Sequence, residues 1–340
     1  MSARALRWLA SLLPGPDGGG AASLVIVRHH RVYGPLERPL YRLGVGEEVL
    51  RAQLALLARH GLAPVTVSAG LARLAAGEPR RTVAMSFDDG YADNVRRALP
   101  LLASCGAQAT FFLTAGLIEQ RRAPWWDELA HLLTATRVDR LEQGGRTHGL
   151  ADEAGRRRAL GALLPAFRVP PAAHRELLDD LAGRLGVADP APCELATWEE
   201  CAELRAAGME VGAHTLTHPL LSTLSAAEQA AEIGGSFDLV GLRLGVRPRG
   251  LAYPGGDHDA ASITAAREAG AAWAVTTRAG ENLPGAPAFE LRRRGLSEGA
   301  CLGPGGRFSA RLTLAELEGR FERLRGRRAP AGARARESAG

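Results

Sequence analysis

The sequence predicts an α/β fold with a parallel sheet of about eight strands closing into a barrel; an open doubly wound sheet is the alternative. Three observations lead there. Short apolar runs alternate with helical patterns along most of the 340 residues. Several runs are continuously apolar, such as Leu24-Val25-Ile26-Val27, as strands buried on both faces require. The strand-like runs number about eight, the count for a barrel.

The candidate strands are residues 23–28, 64–67, 82–87, 108–114, 209–213, 249–253, 272–276 and 290–295. Helices fit between them. Residues 47–60 carry Val49, Leu50, Leu54 and Leu57 at helical spacing and stop at Gly61. Ser68 is placed to cap the next helix, which ends near Gly77. Residues 119–192 break the rhythm: they lack a good strand, are rich in Arg, Leu and Ala, and hold helical pieces at 126–133 and 173–185. They read as a helical insertion between two barrel strands. Thr197 with Glu200 forms a capping-box pattern, and Ser225 with Glu228 repeats it. Residues 259–269 read as another helix, closing at Gly270.

Hydrophobic residues at 46% and charged residues at 23% are ordinary for a globular chain. Against 37 acidic residues stand 42 basic ones, all Arg, for a net charge of +5. Dense Arg runs include Arg292 to Arg294 and the tail from Arg320 to Arg336. A nucleic-acid partner is not expected, because such binders gather charge on one structured element. Cys105, Cys193, Cys201 and Cys301 form no C-x-x-C pair, so a zinc ribbon is unsupported and buried small apolar roles are expected. No run is long enough for a transmembrane helix. Arg4 and Arg7 flank a short apolar stretch, 6–13, but Pro14-Gly15-Pro16 makes a poor cleavage site, so no signal peptide is assigned and the compartment stays open.

Chemistry concentrates at two strand ends. Met85-Ser86-Phe87-Asp88-Asp89-Gly90 closes an apolar strand with two carboxylates, which strand propensity disfavours. Adjacent carboxylates repel unless something such as a metal compensates them; the alternative is one helix cap and one solvated Asp. In His214-Thr215-Leu216-Thr217-His218 the histidines lie at i and i+4, which on a helical turn brings both imidazoles to one cation. One carboxylate and two imidazoles make a three-ligand site with open positions, leaving the second carboxylate free as a base.

With Leu251-Ala252-Tyr253-Pro254-Gly255-Gly256, these runs resemble the successive motifs of polysaccharide deacetylases with a NodB-homology domain, carbohydrate esterase family 4, over about 24–296. The resemblance implies a distorted (β/α) barrel of seven or eight strands and a divalent metal, often zinc. It implies Asp89, His214 and His218 as ligands, Asp88 as catalytic base, and Tyr253 in a loop whose backbone N–H holds the oxyanion. It also implies removal of N-acetyl groups from an amino-sugar polysaccharide or oligosaccharide. The corresponding division is an N-terminal extension (1–22), the deacetylase barrel (23–310, insertion about 119–192) and a C-terminal helix with an Arg-rich tail (311–340).

Two departures stand out. The late Leu-x-His motif that carries the general acid in many members has no counterpart, since no His follows His258. Arg28-His29-His30-Arg31-Val32 resembles the Tyr-His-Arg-Val segment of one branch, and His30 is assigned as the acid, with simple loop hydrogen bonding by His29 and His30 as the alternative. The family's Arg partner for the catalytic Asp is also displaced: Ala252 precedes Tyr253, leaving Arg249, Arg28 or Arg31 as replacements. Trp125 and Trp126 open the insertion and are expected to anchor it to the barrel. A same-fold amidohydrolase on a non-glycan C–N bond and a non-catalytic carbohydrate-binding barrel are the competing functions. Oligomeric state is not indicated.

Overall fold

The computed structural model describes Ser11 and residues 22–321. The Arg-rich tail past Phe321 and the apolar stretch at 6–13 lie outside the described residues, apart from Ser11. Seven parallel strands form one sheet: β1 (Ser23–His29), β2 (Arg81–Phe87), β3 (Thr110–Leu113), β4 (Glu210–Ala213), β5 (Gly250–Ala252), β6 (Trp273–Val275) and β7 (Arg293–Gly295). They run in space as β6-β5-β4-β3-β2-β1-β7. A single parallel bridge, Val275 to Leu291, joins β6 to the chain leading into β7 and nearly closes the barrel. That thin seam is the distortion.

Seven of the eight expected strands are present. The exception is 64–67. Only Val65 pairs, bridging Ala84 on the part of β2 that β3 does not reach, because Val67 already begins a helix. That helix is capped by Thr66, not Ser68: the extended backbone of Thr66 lets its hydroxyl accept from Ala69 N–H, while Ser68 donates to Glu210. Both capping boxes form.

Strand alternation assigns the two faces. Val25, Val27, Met85, Phe87 and Phe111 pack outward under the helices. Leu24, Ile26, Ala84, Phe112, Trp273 and Val275 fill the barrel interior with the helix Val67–Ala75. Phe112 and Trp273 meet edge to face with centroids 5.9 Å apart. Glycines make room for them: a Cβ at Gly212 would lie 2.5 Å from the Phe112 ring, and one at Gly250 would overlap Trp273. Gly250→Ala is therefore expected to cost about 1–3 kcal/mol by overpacking. A lower denaturant midpoint at unchanged slope checks this; an unchanged midpoint would mean the Trp273 ring steps aside freely.

Between β3 and β4 the insertion carries its own apolar core, including Leu129, Leu133, Leu160, Phe167, Leu178 and Leu185. Its helices include Trp125–Ala135, Glu153–Leu163 and Pro171–Leu185. It is not wholly helical. Arg140–Gln143 and Arg146–Gly149 pair antiparallel around Gly144-Gly145, both at positive φ, as a two-residue hairpin demands. Cys105 is exposed, contrary to a uniformly buried role, while Cys201 and Cys301 are buried; none of the four is in a disulfide. Among the described residues no helix is long and apolar enough to cross a membrane.

Candidate active site

At the C-terminal end of the strands, the inward-facing column of side chains turns from apolar to polar. Beyond Ile26 comes Arg28; beyond Ala84 come Ser86 and Asp88; beyond Leu291 comes Arg293. Plain alternation would send Asp89 to the other side of β2. Instead Asp89 adopts φ +75° and Gly90 φ +82°, so adjacent carboxylates serve the same cleft. Both are 2% exposed, which rules out a solvated Asp.

Asp89, His214 and His218 converge. Their candidate ligand atoms all lie within 4.8 Å of one another. Asp89 Oδ1 is 3.4 Å from His214 Nε2 and 3.5 Å from His218 Nε2, while Asp89 Oδ2 is buried without a hydrogen-bond partner. His214 Nδ1 faces the Ala252 carbonyl at 2.6 Å, which fixes the proton there and turns Nε2 toward Asp89. The histidines do not ride on a helical turn as the i, i+4 spacing suggested. They bend together through a loop in which Thr215 (φ +64°) and His218 (φ +60°) are left-handed. Glu232 accepts from the N–H groups of Leu216 and Thr217, and Thr215 Oγ1 accepts from His218 N–H. Among the described residues, three of the four non-glycine positions with positive φ (Asp89, Thr215, His218) belong to this site, where strain is commonly stored.

Asp88 is gripped by Arg293, with Nη1–Oδ1 at 2.6 Å and Nη2–Oδ2 at 2.8 Å. Burial alone would raise the Asp88 carboxyl, but the Arg293 guanidinium outweighs it and holds the group well below the ordinary carboxylate range. Arg293 is 2% exposed and also donates to the Thr276 carbonyl and Ser86 Oγ. It was not among the three replacements weighed from the sequence. As the middle of the Arg292–Arg294 run, it has the inward parity of Leu291, and that was the legible signal.

His30 Nε2 lies 3.9 Å from Asp88 Oδ2 at the cleft. His29 has the opposite parity: it stacks on Phe87 in the outer core, and burial pushes its imidazole down to about 3. Tyr253 does not supply its own N–H to the cleft, since that group donates to the Val275 carbonyl. Its ring stacks on His258, which is held by Gly256 O and Glu290 away from the cleft. Gly256 and Asp257 N–H are likewise used within the turn. Gly255, which lines the cleft, makes no such bond.

The cleft encloses about 430 Å³. The insertion forms one wall through Trp125, Trp126, Leu164 and Phe167, so the tryptophans do more than anchor it. Trp125 stacks on Phe167 at 4.8 Å, and Trp126 meets His218 at 4.5 Å. Trp126 Nε1 donates to Tyr91 Oη, which donates to Asp127. Burial pushes Asp127 up to about 7 against the Tyr91 hydrogen bond. The folded chain thus keeps a proton that the unfolded chain releases near its ordinary value of about 4. Asp127's stabilising contribution is complete below about pH 4 and lost as pH rises through about 7. Asp127→Asn should remove this decline, seen as a smaller fall in thermal midpoint from pH 4.5 to 8 than the wild type shows.

A family model described as polysaccharide deacetylase matches residues 75–274. No curated protein matches the chain. Among solved structures it is similar to the deacetylase PplD of Streptococcus pyogenes in complex with acetate, at 18% identity and TM-score 0.56, covering 84% of this chain and 96% of that one. It is similar to IcaB from Ammonifex degensii at 21% identity and TM-score 0.53, covering 80% and 91%. It is also similar to the BpsB deacetylase domain of Bordetella bronchiseptica at 16% identity and TM-score 0.52, covering 84% and 98%. At these identities the structures speak for the fold; together with the family match, they make this chain a member of the polysaccharide deacetylase family, hydrolases of carbon–nitrogen bonds other than peptide bonds.

Proposed function

We propose that the protein removes N-acetyl groups from an amino-sugar polysaccharide or oligosaccharide, with a divalent cation held by Asp89, His214 and His218. The observation that carries this is the convergence of both imidazole Nε2 atoms on Asp89 Oδ1, in a buried carboxylate whose Oδ2 has no hydrogen-bond partner. Two imidazoles, one carboxylate and open positions form a donor set that suits zinc. When bound, the cation supplies Lewis acidity, the property that polarises an amide carbonyl and makes water nucleophilic near neutral pH.

The chain's own groups do the rest. Asp88, kept ionised and fixed in orientation by Arg293, takes the proton of the water that attacks the acetyl carbon. His30, beside Asp88, gives a proton to the leaving amine nitrogen. The Gly255 N–H, rather than that of Tyr253, donates to the oxyanion. Residues 23–310 act as one catalytic unit in which the insertion wall offers half-buried Trp125 as an apolar surface for a sugar ring, with Trp126 buried behind it.

The test is acetate release from N-acetylglucosamine oligomers and polymers, before and after chelation and after zinc is restored. Release that disappears on chelation and returns with zinc is the expected result. Release that persists in metal-free protein would refute the metal assignment, and no release from metal-loaded protein would refute the deacetylase assignment.

A further inference from the structure

A partly buried cationic group in the cleft has no task in this chemistry. Arg28 ends β1, paired in register with Ser86 on one side and Gly295 on the other. Its inward parity sends the side chain into the cleft beside Asp88, and it is partly buried there. Among the described residues no carboxylate lies within ion-pair distance of it, and its side chain makes no hydrogen bond. The two carboxylates nearby are already committed, Asp88 to the fork of Arg293 and Asp89 to the imidazole pair. Gly295 contributes no side chain to fill the space: a Cβ there would come only to 3.7 Å from Arg28 Nη2.

An arginine stays charged in a protein, and a partly buried guanidinium without a counter-ion carries an unmet desolvation cost. The residues surrounding the catalytic centre therefore leave a positive charge facing the space the substrate occupies. Arg168, from the insertion, lines the same cleft from an exposed position and has no side-chain partner among the described residues. Two guanidiniums from separate elements thus line one cleft, and the partly buried one, Arg28, is the charge that a neutral sugar would leave uncompensated.

We propose that Arg28, with Arg168 lining the same cleft, forms an anion subsite, so that the preferred substrate carries a carboxylate or phosphate close to the acetamide. A planar guanidinium fork suits either group by paired hydrogen bonds. The subsite rests on the deacetylase assignment above and narrows its substrate class.

Three sets of N-acetylhexosamine oligosaccharides of equal length separate the sources: neutral, uronate-bearing, and phosphate-bearing. The ratio of kcat/KM for anionic over neutral substrate is measured in wild type, Arg28→Gln and Arg28→Lys, with metal content checked in each. Wild type should favour one anionic set by about tenfold to a hundredfold, the worth of a charge-assisted hydrogen-bonded pair. Arg28→Gln should collapse that ratio, mainly through KM, and Arg28→Lys should keep part of it. Whichever anionic set shows the preference identifies the group. Equal rates on neutral and anionic sets, or a preference that survives Arg28→Gln, would overturn the subsite alone. No acetate from any set by metal-loaded wild type would overturn the deacetylase assignment and the subsite together.

Discussion

Asp88→Asn should lower kcat for acetate release by about 10²- to 10⁴-fold, the range for loss of a positioned proton acceptor. Asn matches Asp in shape, and its carbonyl oxygen can still accept one of the two bonds from Arg293. It cannot take a proton from water. Metal content should stay at the wild-type level, because Asp88 is not among the three converging ligands. A variant that binds its metal, folds, and still turns over within tenfold of wild type would remove Asp88 from the role of base. His30→Gln should also slow turnover, and the double variant should be little slower than the worse single one if the two groups act on one proton route.

The second large effect is on stability. Arg293→Met should destabilise the fold by about 3–5 kcal/mol, the usual cost of removing one partner from a buried pair. The reason lies in Asp88, which is 2% exposed and would be left facing an apolar wall. Desolvation would then raise its carboxyl, where Arg293 now holds it down. Activity should fall with it, since a protonated Asp88 cannot serve as base. The double change Asp88→Leu with Arg293→Met should recover most of the stability and none of the activity. If Arg293→Met alone unfolds no more readily than wild type, the bidentate pair is not what fixes this corner of the barrel.

Much of this was legible in the sequence because barrel physics writes a simple code. Short strand-like runs, several of them continuously apolar, marked seven strands, and the polar residues at their C-terminal ends marked the cleft. What escaped depended on backbone geometry. The i, i+4 spacing of His214 and His218 implied a helix, whereas the pair is assembled by left-handed Thr215 and His218 and tied down by Glu232, sixteen residues after Leu216. No local pattern announces such a loop. Arg293 lay in view in an Arg run with the inward parity of Leu291, and the register of β7 against β1 then places its guanidinium on Asp88. The hairpin at Gly144-Gly145 sits in short, polar strands, whose exposed residues give no alternation to read. Tyr253 begins the loop expected to hold the oxyanion, and its own N–H donates to Val275 in the sheet, a pairing invisible without the neighbouring strand.

The central claim is that Asp89, His214 and His218 hold a catalytic cation. The most direct measurement is metal stoichiometry in the full chain, by elemental analysis and titration calorimetry with zinc, for wild type, Asp89→Ala and His214→Ala, each alongside acetate release. One ion per wild-type chain is predicted, with binding and activity lost together in both variants. Stoichiometric binding that survives both substitutions, or acetate release by protein that holds no ion, would contradict it.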